Sequence, residues 1–384
     1  MTFLQILVAV LAALLVLICW AVSYIWRGRW RWGVTALLLL IDGAALAGFV
    51  LGGRHPAWHL ADWVYLGPTL QVLTVLFTAQ VLLVAGVFIT VVVRWLYRRW
   101  RRPVAFDASR RRILKKAAFY PVVALGAGLY GEGIERRQLA VRRYAIPVAG
   151  LPTQLAGLRI AQLSDVHLGM FYSLADLRAL LTRTAAEGAD LLAVTGDLFD
   201  DNVINVQAVH ILAEFTDRFP HGIWFCLGNH EHFRNLGEVL AALKTTQVHV
   251  LINRAEPVAG LAPLWLVGAD YPMHRPSFAQ DKTAYADKAF AEVPEGAVSI
   301  FLAHHPEFID DGAAHGAALT LTGHTHGSQF GFLGLPVFPV FKYTRGFVNI
   351  DGHYGYVHSG NGSWFPCRIG CPPELAIFTL QTQA

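Results

Sequence analysis

Five apolar runs in the C-terminal half of the chain each stop at residues able to ligate a metal: Asp165 and His167, Asp197, Asn229 and His230, His304, then His324 and His326. A mixed shell of carboxylate, imidazole and carboxamide suits borderline divalent ions such as Mn, Fe or Zn better than Ca. Asp165-Val166-His167 sets two ligand types at i and i+2, which point to one side in an extended segment. His324-Thr325-His326 repeats that spacing, and Gly323 and Gly327 beside it allow backbone and ion to approach closely. The ligands are too many for one ion. A lone His or Asp at a strand end is usually a hydrogen-bonded loop residue, but five such blocks together read as a metal site.

Neighbouring residues are open to other readings. His304 and His305 are not separable by spacing. Asp200 and Asp201 read as a helix start or as support behind the ligands. His210, His221, His232, His249, His274, His315, His353 and His358 read as mostly solvated or structural, with His274 on a long segment that could overhang the site. Cys367 and Cys371, four apart, could close a small disulfide loop in an oxidising compartment.

Such ligands need rigid elements behind them, and the pattern alternates strands with helices. Strands are expected at 158–163, 190–195, 223–227, 248–252, 264–268, 298–303 and 317–322, with helices from Ser173, over 203–218, over 236–246 and, more polar, over 281–292. Ser173 followed by Asp176 suggests a capped helix start. Ligands delivered from the carboxyl ends of strands to one rim are how an open α/β sheet builds a site.

The ordered blocks S-D-V-H, T-G-D-L, L-G-N-H-E, L-A-H-H-P and T-G-H-T-H resemble those of the calcineurin-like metallophosphoesterase superfamily, over residues 158 to 378. The preceding R-R-Y-A-I-P-V-A-G-L-P and trailing P-P-E-L are similar to its membrane-associated bacterial branch. The resemblance implies an α/β domain of the α+β sandwich type and two divalent metal ions. Asp165, His167, Asp197 and His326 would hold the first; Asp197, Asn229, His304 and His324 would hold the second, with Asp197 as bridge. Two such ions ~3.5 to 4 Å apart activate a shared water and clamp the oxygens of an in-line displacement at phosphorus. His230 would stabilise the transition state or protonate the leaving group. Residues 270–296 match no motif and are where substrate choice would lie.

At 384 residues, 54% hydrophobic and only 15% charged, the chain is too apolar for an ordinary cytosolic enzyme. The excess lies before residue 132, where runs at 2–26, 33–53, 70–93 and, shorter, 117–131 predict three to four transmembrane helices. Trp20, Tyr24, Trp26, Trp30, Trp63, Tyr65 and Trp95 fit interfacial belts. Arg27, Arg29 and Arg31, and the basic stretch between Arg94 and Lys116, against only Arg54 and Asp62 in the loop at 54–63, place the N-terminus outside. Ser109 to Lys115 resembles a twin-arginine export motif, and a crossing at 117–131 would make everything after it extracytoplasmic. Asp42 lies mid-span, with a helix-to-helix hydrogen bond as its expected role.

The expected organisation is a membrane region (1–132), a linker (133–152) and the metallophosphoesterase domain (153–384). The expected function is hydrolysis of phosphoester or pyrophosphate bonds by a multi-pass protein of the bacterial inner membrane. The lipid bilayer is its partner, and arginines at 136, 137, 142 and 143 point to an amphiphilic or lipid-linked substrate. A membrane-bound metal-binding scaffold or sensor is the other class, and no nucleic-acid module is recognisable.

Overall fold

A computed structural model describes residues 3–26, 28–52, 60–100, 110–169, 171–363 and 365–383. Two compact units divide the chain, Met1–Ile134 and Glu135–Ala384.

The described residues of the first unit form four helices, α1 (Phe3–Ile25), α2 (Trp30–Gly52), α3 (Leu60–Trp100) and α4 (Arg110–Gly133). Among the described residues one stretch, Val75–Leu96 in α3, is long and apolar enough to cross a membrane, and Ala13–Ile25 is a shorter apolar helix. Only that one of the three to four expected spans therefore meets both criteria. Arg27, Arg54, Arg101, Arg102 and Ser109, read above as topology or export signals, lie outside the described residues. The helices meet through small residues: a Cβ added at Gly128 would come within 3.0 Å of the Val75 carbonyl, and one at Gly86 within 3.4 Å of the Tyr120 ring. Gln80 Nε2 donates to Asp42 Oδ1 at 2.9 Å, so the mid-helix carboxylate is met by a carboxamide from the next helix.

The second unit is a sandwich of two six-stranded sheets. Its elements run β1 (Ala140–Val148), β2 (Arg159–Leu163), α5 (Leu174–Ala186), β3 (Leu191–Thr195), α6 (Asn205–Ala213), β4 (Ile223–Cys226), α7 (Asn229–Phe233), α8 (Leu236–Leu243) and β5 (His249–Val250). Then come β6 (Arg254–Pro257), β7 (Leu264–Gly268), α9 (Phe278–Phe290), β8 (Val298–Leu302), α10 (Phe308–Ala314), β9 (Leu319–Thr322), β10 (Gly331–Phe332), β11 (Leu335–Pro336), β12 (Gly346–Ile350), β13 (His353–Val357) and β14 (Glu374–Thr382). Sheet I has the order β1-β14-β2-β3-β4-β5, and sheet II the order β12-β13-β9-β8-β7-β6. In sheet I strands β2 to β5 run parallel, as do β7, β8, β9 and β13 in sheet II.

Alternation along the strands explains the layers. Ile160, Leu191 and Trp224 face a core shared with Leu266, Ile300 and Leu321 of sheet II. Their neighbours Ala161, Leu192 and Phe225 face Leu177, Leu212 and Val239 of the helices covering sheet I. Phe301 and Val267 on the far side of sheet II pack on Ala286, Phe290 and Phe308. Both sheets are thus buried on both faces, which is why their central strands are nearly continuous apolar runs.

Two expectations need correction. The stretch 133–152 is not simply a linker, because Ala140–Val148 pairs with β14 over nine positions as the edge of sheet I. Two arginines and Pro147 obscure it as a strand, yet an edge strand is where a sheet tolerates both. The helix expected over 203–218 stops at Ala213, followed by a separate 3₁₀ turn at Thr216–Arg218. The cap at Ser173 forms in both directions: Asp176 N donates to Ser173 Oγ at 3.2 Å and Ser173 N to Asp176 Oδ2 at 2.8 Å.

Candidate metal centre

The carboxyl ends of β2, β3, β4, β8 and β9 converge, and each delivers ligands through a tight turn. Asp165, His167, Asp197, His324 and His326 have φ of 53°, 50°, 53°, 72° and 52°. That is left-handed backbone, which L-residues adopt at a cost of about 1–2 kcal/mol each. Glycines let these turns touch. A Cβ at Gly228 would collide with Asp197 Oδ1, and one at Gly323 with Ser164 Oγ and Asp165 Oδ2.

Three overlapping groups result: Asp165, His167 and His326; His167, Asp197 and His230; and Asp197, His304 and His324, each with ligand atoms within 4.8 Å of one another. His167 and Asp197 each belong to two of them. His167 Nε2 lies 3.0 Å from His326 Nε2 and 3.7 Å from Asp197 Oδ2, while Asp197 Oδ2 lies 3.0 Å from His304 Nε2. Asn229 stands between Gly228, packed on Asp197, and His230, whose N–H donates to Asp197 Oδ1 at 2.8 Å.

The donor set fits divalent cations. Asn229 Oδ1 is buried without a hydrogen-bond partner, a costly arrangement that a cation would relieve. His304 Nδ1 is 2.7 Å from the Thr195 carbonyl, which can only accept, so Nδ1 carries a hydrogen and Nε2 is the ring nitrogen turned to the centre. His167 Nδ1 is likewise occupied by Asp200 Oδ2 at 3.2 Å, leaving Nε2 toward the centre.

The electrostatics follow from burial and from Asp197. Burial would raise the Asp197 pKa, but His304, His167 and His230 hold it well below the usual carboxylate range. Burial would lower His304, yet Asp197 and Asp165 keep it up at about 10. Burial, then His304 and His305, push His324 down to about 3, the neutral state that ligation requires. For His230 burial again lowers the pKa, but Asp200, Asp197 and Glu231 outweigh it and hold the imidazole above its ordinary value. Its Nδ1 lies 2.9 Å from Asp200 Oδ1.

Two supporting residues have no counterpart in the sequence reading. Buried Glu231 accepts backbone N–H groups from Gly228 at 2.7 Å, Asp197 at 2.9 Å, Leu198 at 2.7 Å and Phe199 at 3.0 Å, fastening the turn that carries Asp197. Its position in L-G-N-H-E, directly after two chemistry-bearing residues, was the available signal. Buried Arg368 donates to the carbonyls of Gly362 at 2.6 Å and Cys371 at 3.1 Å and to Ser363 Oγ at 2.9 Å, and its Nη2 lies 3.5 Å from His326 Nδ1. Nothing near it in sequence announces that role.

The ambiguous residues separate by geometry. His304 is in a ligand group; His305 is not, its ring lying 4.6 Å from Phe278 and 5.6 Å from Phe341. Asp200 lies between His167 and His230, whereas Asp201 Oδ1 accepts the Val203 N–H at 2.8 Å in a turn. His232, His249 and His315 pair with Asp270, Glu256 and Asp287, and His274 bonds Ser277 Oγ within its own turn. Residue Tyr271, at the start of the unassigned segment, reaches the centre: its ring is 5.4 Å from that of His324 and 5.9 Å from that of His304. Cys367 and Cys371 are both buried, and Cys371 Sγ donates to the His326 carbonyl at 3.5 Å. Arg142 and Arg143, in the arginine-rich start of this unit, pair with Glu374 and Glu187.

The two-sheet sandwich thus gathers carboxylate, imidazole and carboxamide groups from five strand ends into three groups that could hold metal ions. Residues 158–328 match the calcineurin-like phosphoesterase family. An uncharacterised metallophosphoesterase of Campylobacter jejuni is 30% identical over 244 residues, 60% of this chain and 61% of that protein, so the chain spans under two thirds of that relative. The uncharacterised metallophosphoesterase YkuE of Bacillus subtilis is 27% identical over 71% of this chain and 98% of its own length. A transmembrane protein with metallophosphoesterase domain from Danio rerio is 26% identical over 92% of this chain and 80% of its own.

Proposed function

We propose that the protein is a membrane-anchored phosphoesterase that cleaves phosphoester or pyrophosphate bonds at a dinuclear metal centre. The observation that carries this reading is the chain of three ligand groups sharing His167 and Asp197. Asp165, His167, Asp197 and His326 would hold one ion and Asp197, Asn229, His304 and His324 the other. When bound, the ions supply Lewis acidity and lower the pKa of a water. The residues of the chain do the remainder. Asp197 ties the two ligand sets together, and Glu231 keeps its turn from relaxing. His230, its Nδ1 beside Asp200 and its pKa raised above the ordinary value, gives a proton to the leaving oxygen or steadies charge on the phosphoryl oxygens. Tyr271 and Phe341, whose rings lie 5.4 and 5.2 Å from that of His324, form an apolar wall beside the phosphate position.

Anchoring is supported by Val75–Leu96 and by the Danio rerio relative, whose similarity extends through the helical unit. On this reading α1 to α4 tether the domain at the outer side of a bacterial inner membrane, and the substrate is amphiphilic. The full chain in detergent, loaded with Mn, should release product from a generic aryl phosphodiester, and His230→Asn should reduce that release with metal content unchanged. Inactivity at full metal occupancy overturns the enzyme reading and favours a metal-binding scaffold. A reporter fused after Gly150 should be active only outside the cytoplasm; cytoplasmic activity reverses the topology.

A further inference from the structure

The twelve residues from Phe330 to Phe341, FGFLGLPVFPVF, contain no charged and no hydrogen-bonding side chain. They fold as the short hairpin β10–β11, turned at Leu333 and Gly334 with φ of 51° and 83°. Instead of packing inward, the apolar side chains stand in solvent: Phe332 is 71% exposed, Leu333 86%, Leu335 71%, Val337 49%, Phe338 54% and Val340 79%. Among the described residues of the second unit these six dominate the exposed large apolar side chains; Val203, Phe233, Met273 and Phe347 are the others. Scattered exposed apolar residues are ordinary, but a contiguous uncharged set marks a surface that is covered in use.

The base of the hairpin is fixed while its tip is free. Gly331 N donates to Ile369 O at 2.7 Å, Val337 N to Phe330 O at 2.9 Å, and Ser328 Oγ to Phe330 O at 2.6 Å. The base also borders the chemistry: His326 lies four residues before Phe330, and the Phe341 ring is 5.2 Å from that of His324 and 5.6 Å from that of His305. Lys342 and Tyr343 follow directly, both bonded to Asp310, a cationic and aromatic pair of the type that sits at a headgroup layer.

We propose that the hairpin 330–341 is an interfacial foot that enters the headgroup and acyl boundary of a lipid bilayer, so that an amphiphilic phosphate passes from the bilayer along Phe341 to the metal centre. The occupant is assigned as lipid because the same chain carries a membrane-length helix, Val75–Leu96, which would hold this unit at a bilayer, and because the tip offers bulk apolar contact with nothing polar to pair with a protein partner. The inference deepens the phosphoesterase reading and rests on its membrane tether.

The test uses the full chain in lipid nanodiscs, with Cys19→Ser and Leu333→Cys carrying an environment-sensitive fluorophore. Quenching by lipids brominated at a shallow acyl position, with little quenching by aqueous iodide, is the expected result. Iodide quenching with silent brominated lipids overturns the proposal in favour of a solvated loop. Protection from both overturns it in favour of contact between two copies. In parallel, a variant combining Leu333→Asn, Leu335→Asn and Phe338→Ser should hydrolyse a soluble aryl phosphodiester within about two-fold of the parent. Its turnover of a long-chain phosphodiester in vesicles should fall by roughly ten-fold or more. Equal turnover of both substrates overturns the delivery role. A parent inactive on both substrates would end the phosphoesterase reading, while the quenching result would still decide where the hairpin sits.

Discussion

Sheet I and sheet II bring ligands to the same centre but fasten them with buried charges of opposite sign. In sheet I the turns after β3 and β4 aim four N–H groups inward, and the carboxylate of Glu231 collects them. Burial and Asp197 push the Glu231 pKa up, and those donors resist the shift. Beside sheet II the loop after β13 aims carbonyls inward, and the Arg368 guanidinium collects those. A buried charge is costly unless every one of its hydrogen-bonding positions is used. Which charge is chosen follows from which end of the peptide group faces the interior.

Asp197 is where the two sheets meet, so its replacement should have the largest effect. Asp197→Asn should lower turnover by about 10³-fold or more and bring metal content from two ions per chain toward one, read by steady-state assay and elemental analysis. A variant that keeps both ions would show that the sheets hold them independently. Glu231→Gln turns an amide N–H toward backbone N–H groups and should cost about 3 kcal/mol, a fall of roughly 8 °C in Tm. Arg368→Met should cost less, about 2 kcal/mol, because orphaned carbonyls are tolerated better than orphaned N–H groups. If the arginine variant melts lower than the glutamate variant, the asymmetry between the sheets is wrong.

The smallest effect concerns the rim, where His232 of the sheet I turn meets Asp270 beyond β7 at 2.8 Å. The hydrogen bond to Asp270 raises the His232 pKa above its ordinary 6.5. A raised folded-state value means this stabilisation is complete below pH 6.5 and fades as pH rises through the folded pKa. Asp270→Asn should therefore cost about 1 kcal/mol at pH 6 and little at pH 9, measured by urea unfolding at both.

Sheet I was largely legible in the sequence. Its strands β2, β3 and β4 are largely apolar and are followed by Asp165, Asp197 and Asn229, and helices separate them. The edges were not. β1 carries Arg142, Arg143 and Pro147, and β12, the edge of sheet II, carries Gly346 and Asn349, so neither resembles a buried strand. The pairing of β1 with β14 also explains why R-R-Y and P-P-E-L occur together despite their distance: Arg142 Nε lies 3.1 Å from Glu374 Oε2. The ligands themselves could be read because residue type and strand end sufficed. Glu231 and Arg368 could not be assigned, because most of their partners are backbone atoms, which leave no trace in residue identity.

The left-handed backbone at Asp165, His167, Asp197, His324 and His326 has a consequence for protein engineering. Glycine adopts that conformation freely, so each Xaa→Gly change there would release strain and, in the metal-free protein, offset part of the lost contacts. A screen that rewards heat resistance alone would tolerate glycine at the very positions that seat the ions, and would drift toward robust but inert proteins. Directed evolution of this scaffold therefore has to select for turnover in every round.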